Sequence, residues 1–529
     1  MTKKILTIAI ALLAINFAIA QQPNIVLIMA DDMGFSDIGC FGSEIPTLNL
    51  DQLANNGVRF SQFYNTARCC PTRASLLTGL YQHQAGIGQM SEDPESNKDG
   101  KDRNDAGVPG YKGYLNHHCV TIAEALKPAG YHTYMTGKWH VGMHGEEKWP
   151  LQRGFEHYYG ILSGATSYLK PEGGRGLTRD NTRLPAPEGD YYTTDAFTDN
   201  AIRMIKEQKD DKPFFLYLAY NAPHWPLQAK KVDYEKFVGK YMKGWDQLRE
   251  ERYQKQKNLN LFDRDIPLSP RDPRVRPWSE VDEAQKKESD FRMAVYAAQV
   301  NSIDQNIGKL LETLKSLNKL DNTLIIFLSD NGSCAEPYQE FGGGKFEDIN
   351  NPAVWGPVSY GIAWANMSNT PFYEYKVKSY EGGISAPFIA YWPKKIKKNA
   401  GKVYHTPAQL IDLMPTFLDA SGAKYPSTHP DGTELFALEG SSLLPAFIDG
   451  KGKQREYMFW EHEGYSAIRK GDWKAYKKVK DTDWELYDLR TDRDEQINVA
   501  KDHSDLLKEL NEKWYEWAYS HQVLPKKID

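Results

Sequence analysis

Asn24-Ile25-Val26-Leu27-Ile28-Met29-Ala30-Asp31-Asp32 decides the fold: a short apolar run that stops on two carboxylates. It lacks the polar-apolar alternation of a half-exposed strand and therefore reads as a strand buried on both faces. Thr323-Leu324-Ile325-Ile326-Phe327-Leu328-Ser329 repeats the pattern and closes on Asp330-Asn331-Gly332. Further buried strands are predicted over residues 132–136, 214–220 and 387–392. Helical patterns lie between them. Thr121-Ile122-Ala123-Glu124 is a capping box opening a helix that stops near Gly130, and residues 47–57 carry Leu50 and Leu53 at helical spacing. Buried strands alternating with helices predict an α/β fold, a mainly parallel sheet covered by helices on both faces. Polar side chains at the strand tips of such a sheet stand where ligands bind.

Asp31, Asp32, Asp330 and Asn331 offer oxygen donors only, which suits Ca2+ or Mg2+ rather than zinc. An isolated acidic pair is more often a cap or a solvated turn. The case for a site comes from its combination with Cys69-Cys70-Pro71-Thr72-Arg73. This run fits C-x-P-x-R, the signal that formylglycine-generating enzymes read when they convert a cysteine into an aldehyde. Ordinary buried thiols, or half of a metal knot, are the plainer readings. No C-x-x-C pair and no Cys/His cluster at zinc spacing supports the knot. Pro71 near the start of a helix and Gly79 at its end put Cys69 on the helix's N-terminal side, where free amides favour anions. Gly137-Lys138-Trp139-His140 and Asn221-Ala222-Pro223-His224-Trp225-Pro226 each follow a predicted buried strand, so Lys138, His140 and His224 fall on the same side as the carboxylates.

The 529 residues are 26% charged and 40% hydrophobic, an ordinary globular balance. A net charge of only -5 gives no basic face for nucleic acid and no polybasic membrane patch. Residues 1–20 place Lys3 and Lys4 before an apolar run ending in Ala18-Ile19-Ala20, the form of a cleavable export signal. No other apolar run approaches the roughly 18 residues that span a bilayer. No cysteine follows the cleavage site to carry a lipid, so the periplasm or the exterior is the expected destination. Cys40, Cys69, Cys70, Cys119 and Cys334 are too few for a disulfide framework.

Residues 228–287 are dense in charge and read as a surface excursion with helical pieces, and residues 90–113 read as a polar loop. From about Tyr457 short strands separated by turns predict a four-stranded antiparallel sheet, followed from Ser504 by a helix with Leu510, Trp514 and Trp517 on one face. The expected organisation is a signal over residues 1–20, a catalytic domain over 21–450 and a C-terminal subdomain over 451–529.

PNIVLIMADDMGFSDIGCFG, CCPTRASLLTGLY, GYHTYMTGKWHVG, YNAPHWP, IIFLSDNG and ANMSNTPFYEYKVKSYEGGISAPFIAYWP occur in this order from residue 22 to about residue 420. Together they resemble the type I formylglycine-dependent sulfatases, the arylsulfatase family of the alkaline-phosphatase-like superfamily. The resemblance implies a large mixed, mainly parallel sheet sandwiched by helices. It also implies hydrolysis of sulfate monoesters, with a sulfated small molecule or glycan as substrate and a formylglycine-generating enzyme as maturation partner. On the matching positions Cys69 becomes formylglycine and Arg73 holds it in place. Asp31, Asp32, Asp330 and Asn331, with the modified Cys69, bind Ca2+, or alternatively Mg2+. Lys138 and His140 flank the formylglycine, and His224 and Lys376 contact the sulfate and the leaving-group oxygen. Lys376 is preferred to Lys378 because the family's lysine stands five residues before the Glu of EGG, here Glu381. Ser163 is a further sulfate contact.

The implied chemistry gives Asp330 the first proton, His224 with Lys376 the protonation of the departing alkoxide, and His140 the second proton. Trp460, Glu461, His462 and Glu463, at a turn before Ser466, and His83, just past the catalytic helix, are candidates to line the mouth of the site. Plain surface-turn roles are the alternative for each. A phosphonate monoester or phosphodiester hydrolase shares the same motifs and is the nearest rival. A non-catalytic glycan-binding relative would be expected to lack one of the chemical positions, and all are filled here.

Overall fold

The computed structural model describes residues 22–91 and 105–526, so the export segment and part of the 90–113 loop lie outside the described residues. In chain order the strands are β1 (Asn24–Asp31), β2 (Val58–Phe60), β3 (Phe63–Tyr64), β4 (His132–Lys138), β5 (His157–Ile161), β6 (Leu177–Arg179), β7 (Thr182–Arg183) and β8 (Phe214–Pro223). They continue with β9 (Thr323–Ser329), β10 (Phe388–Tyr391), β11 (Lys402–Tyr404), β12 (Ala408–Gln409), β13 (Tyr457–His462), β14 (Tyr465–Lys470), β15 (Trp473–Lys477) and β16 (Glu485–Asp488). Ten of them form one sheet in the order β11-β2-β10-β9-β1-β8-β4-β5-β6-β7.

β1 lies at the centre, parallel to β8 on one side and β9 on the other, and β4 and β5 extend the parallel run beyond β8. Val26, Ile28 and Ala30 of β1 point into one hydrophobic core, and Ile25, Leu27 and Met29 into a second on the opposite face. This two-sided burial explains the missing alternation, and each fully buried Ile or Leu contributes about 1.5–3 kcal/mol. One face is covered by the helices Thr193–Glu207 and Glu283–Ser316, the other by Cys69–Thr78, Ile122–Leu126 and Leu413–Ser421. The Thr121 capping box is present with both reciprocal hydrogen bonds. β10 runs antiparallel to both β9 and β2, which makes the sheet mixed.

β13 to β16 form a separate antiparallel sheet in sequence order. The helix Ser504–Ser520 packs on it through Leu510, Trp514 and Trp517. Trp514 Nε1 donates to Trp460 O at 3.1 Å, and Trp460 Nε1 to Asn65 O at 2.9 Å, fastening the small sheet to the large domain.

The excursion over residues 228–287 is not simply a solvated face. Trp245, Leu248 and Leu261 join the main core, and Arg252 is buried with Nη1 2.7 Å from Asp37 Oδ1 and Nε 2.8 Å from Glu44 Oε2. Its charge density conceals buried ion pairs that a hydropathy pattern reads as surface. All five cysteines are buried and unpaired. Among the described residues no helix is long and apolar enough to cross a membrane.

Candidate active site

Asp31, Lys138, His224, Asp330 and Asn331 sit at the carboxyl edge of the parallel strands. Asp31 ends β1, Lys138 ends β4, His224 follows β8, and Asp330 and Asn331 follow β9. Gly137, one residue before Lys138, has φ +105, and a Cβ there would stand 1.8 Å from Ala219 O; glycine lets β4 press against β8 at this point. Asp32 (φ +67) and His140 (φ +56) are non-glycine residues in the left-handed region. Backbone strain of this kind gathers at functional sites.

Cys69 is the first residue of the helix Cys69–Thr78, whose C-cap Gly79 has φ +71. Its Sγ lies 3.9 Å from Asp32 Oδ1. Arg73, one turn further on and wholly buried, donates to Asp330 Oδ2 at 3.0 Å and to Lys138 O at 2.9 Å. Lys138 Nζ is 2.7 Å from Asp31 Oδ2, and Lys376 Nζ is 2.8 Å from the Asp32 carboxylate. Asn331 Nδ2 donates to Asp32 Oδ1 at 2.8 Å, and His224 Nε2 is 3.4 Å from Asp32 Oδ2. His224 Nδ1 is 2.6 Å from Trp225 O, and a carbonyl only accepts, so Nδ1 carries the hydrogen and Nε2 faces the cluster.

Burial pushes the Cys69 thiol well up, so the unmodified side chain holds its proton. Burial also pushes His224 down to about 3, with Lys376 and Lys138 adding to the effect and Asp32 opposing it. His140 is driven down for the same first reason, reinforced by Lys138 and Arg73. Burial and the neighbouring Asp31 raise the Asp330 carboxyl. Asp32 behaves oppositely: burial raises it, but Lys376, His224 and the hydrogen bond from Asn331 together outweigh burial and hold it ionised.

Asp31 Oδ1 and Asn331 Oδ1 are buried acceptor oxygens without hydrogen-bond partners, and Asp31, Asp32, Cys69 and His224 bring ligand atoms within 4.8 Å of one another. Crowded carboxylates with orphaned oxygens fit a hard divalent cation.

The other named residues are distributed unevenly. Ser163 is buried beside the site: its Oγ donates to Ala165 O at 3.2 Å, and the next residue, Gly164, packs against the His140 ring so closely that a Cβ would stand 2.5 Å from Cε1. His83 and Glu461 are buried together, His83 Nε2 2.7 Å from Glu461 Oε2, in the seam between the large domain and the C-terminal sheet. These two and Trp460 take packing positions rather than open ones, because a carboxylate shut away from water needs the hydrogen bond of its imidazole partner more than a ligand. His462 is buried at the end of β13, and Glu463 is exposed at the β13–β14 turn. Sequence reasoning missed Arg68 and Glu336. Arg68 Nη1 is 2.7 Å from Glu336 Oε1, and Glu336 Oε2 is 3.7 Å from Lys376 Nζ. Their signal was position alone: a charge directly before Cys69, and another just after the Asp330-Asn331-Gly332 tip.

The family model described as Sulfatase matches residues 23–423, and one described as N-sulphoglucosamine sulphohydrolase, C-terminal, matches residues 371–522. An uncharacterized sulfatase of Schizosaccharomyces pombe is 35% identical, over 94% of this chain and 93% of its own. An arylsulfatase of Klebsiella aerogenes is 34% identical, over 83% of this chain and 97% of its own. The crystal structure of Ps i-CgsB in complex with k-i-k-neocarrahexaose superposes with a TM-score of 0.68 at 29% identity, covering 96% of this chain and 95% of that one. With the strand-tip constellation in place and the family model spanning most of its length, the chain belongs to the sulfatase family, the sulfuric ester hydrolases of the alkaline-phosphatase-like superfamily.

Proposed function

We propose that the chain removes sulfate from sulfated carbohydrates after export, using a formylglycine made from Cys69 by a maturation enzyme and a divalent cation, Ca2+ before Mg2+, held by Asp31, Asp32, Asp330 and Asn331. The observation that carries this reading is the convergence on one buried point of Cys69 Sγ, Asp32, Lys376 and His224. A hydrated formylglycine supplies two hydroxyls on one carbon, one to attack sulfur and one to expel the sulfate afterwards.

The residues of the chain do the rest. Arg73 fixes the helix start against Asp330 and the end of β4. Lys138 and Lys376 present ammonium groups to the sulfuryl oxygens as charge grows on them. Asp330, with its raised affinity for a proton, accepts one from the nucleophile. Lys376 holds a proton beside His224, and this pair protonates the departing alkoxide. His140, neutral with its Nδ1 unpartnered, accepts the second proton. The domain division at residues 450 and 451 belongs to the same proposal.

Tryptic-peptide mass spectrometry tests the modification: a loss of roughly 18 Da on Cys69, the replacement of two H and S by O, supports it. An unmodified Cys69 in active protein counts against it. N-terminal sequencing from the native host tests export, with a mature start near Gln21 expected and an intact Met1 contradicting it.

A further inference from the structure

Two charged side chains reach the catalytic cluster from its solvent side and have no part in the chemistry above. Arg68, the N-cap residue of the catalytic helix, makes no side-chain capping bond. It keeps 13% of its side chain exposed and pairs with Glu336, itself 24% exposed, which in turn faces Lys376. Arg68 Nε is buried without a hydrogen-bond partner. β13 brings its turn to this side of the molecule, because Trp460 Nε1 donates to Asn65 O at 2.9 Å and Trp460 shares a buried cluster with Ala67, next to Arg68. His462 there is wholly buried, yet neither ring nitrogen is hydrogen-bonded, and Nε2 stops 3.5 Å from Glu463 Oε1. Glu463 has φ +48 and is 42% exposed. The unpartnered nitrogens of Arg68 and His462 thus stand on the same side of the site as the Glu336 carboxylate that faces Lys376.

We propose that Arg68, Glu336, His462 and Glu463 form the subsite that reads the hydroxyls of a neutral sugar carrying the sulfate, and that they discriminate against a sugar with a second anionic group. The inference rests on the sulfatase reading of Cys69 and deepens it. A guanidinium and an imidazole offer N–H donors, and two carboxylates offer acceptors, the complement of vicinal hydroxyls. Two carboxylates against one guanidinium leave the subsite negative. The Arg68 charge is already engaged by Glu336, and that of Lys376 by Asp32 and Glu336, so among the described residues of this subsite a uronate or second sulfate would meet the Glu463 carboxylate. Buried polar groups that only a hydroxyl satisfies also penalise a ligand lacking one, because its absence leaves them unpaired.

The test measures kcat/KM for the matured enzyme and for Glu463→Gln and Glu336→Gln. The substrates are galactose and N-acetylgalactosamine monosulfates at each ring position, their disulfated counterparts, and 4-nitrophenyl sulfate. The best monosulfate is expected to exceed its disulfated counterpart by roughly tenfold or more in the wild type, and Glu463→Gln to narrow that gap to about threefold. Glu336→Gln is expected to lose roughly tenfold more on the monosulfate than on the aryl sulfate, mostly through KM. A wild-type preference for disulfated sugars overturns the proposal, as do losses that fall equally on sugar and aryl sulfates. Absence of wild-type turnover on every sulfate ester of the panel would instead overturn the sulfatase reading itself. Glu463, exposed at a turn, keeps the test independent of folding should Glu336→Gln prove unstable.

Discussion

Lys376 Nζ lies 2.8 Å from the Asp32 carboxylate although 344 residues separate the two in sequence. Burial alone would lower the Lys376 ammonium, but Asp32, with Cys334 and Cys69, outweighs burial and holds it well above the usual lysine range. In the proposed mechanism the proton for the leaving group therefore rests on Lys376, and His224, pushed down to about 3, is neutral beside it. His224→Ala and Lys376→Ala should each lose most on sugar sulfates, whose alkoxides need a proton, and least on an aryl sulfate, whose phenolate departs without one. Lys138→Ala should lose on both alike, since the proposed mechanism has its charge offset that of the sulfuryl oxygens whichever alcohol departs. Comparing kcat/KM across both substrates checks this, and equal losses for His224→Ala would take it out of the proton-delivering pair and leave Lys376 to act without it.

Removing the divalent cation should abolish turnover and leave most of the fold. Asp31, Asp32 and Asp330 crowd three carboxylates together, and a cation would offset their repulsion. Asp32→Asn should lower kcat/KM by about a hundredfold or more while shifting Tm only slightly. Full activity after exhaustive chelation, verified by elemental analysis, would contradict a required ion.

The seam under the C-terminal sheet should be acid-labile. Burial pushes His462 from 6.5 down to about 4, and lowers His83 too. Burial raises Glu461, but His83 and Lys526 outweigh it and bring it from 4.5 to about 2. As pH falls from 6.5 to 4 the unfolded chain binds protons that the folded chain refuses, so stability present above pH 6.5 is lost across that window; Glu461 extends the loss below pH 4.5. The His462 share amounts to about 3 kcal/mol. Melting curves between pH 7.5 and pH 4.5 should slope less for His462→Gln than for the wild type. Identical slopes would contradict the assignment.

Asp37→Ala should cost about 3–5 kcal/mol, because it leaves the Arg252 guanidinium buried with one partner removed. Tyr296 Oη, which donates to Asp37 Oδ2 at 2.6 Å, loses its acceptor as well. Urea denaturation checks this, and a change below about 1 kcal/mol would show that water reaches Arg252.

The central strands were legible because both faces are buried, which makes β1 and β9 continuous apolar runs, and their tips followed from chain direction. Cys69, Asp31 and Asp330 were therefore readable along the chain. The Arg68–Glu336 pair was not, since it joins residues 268 apart through two loops whose approach depends on the finished sheet. The excursion was misread because Arg252 finds buried partners on a different segment. His83 and Glu461 looked like turn residues for the same reason: in sequence, a charge paired inside a seam is indistinguishable from one in water.

The most direct measurement is sulfate release from 4-nitrophenyl sulfate by matured wild type and by Cys69→Ala, run beside bis(4-nitrophenyl) phosphate. Turnover of the sulfate that disappears in Cys69→Ala and exceeds turnover of the diester is the predicted result. Equal turnover in the variant, or a preference for the phosphodiester, would contradict the account.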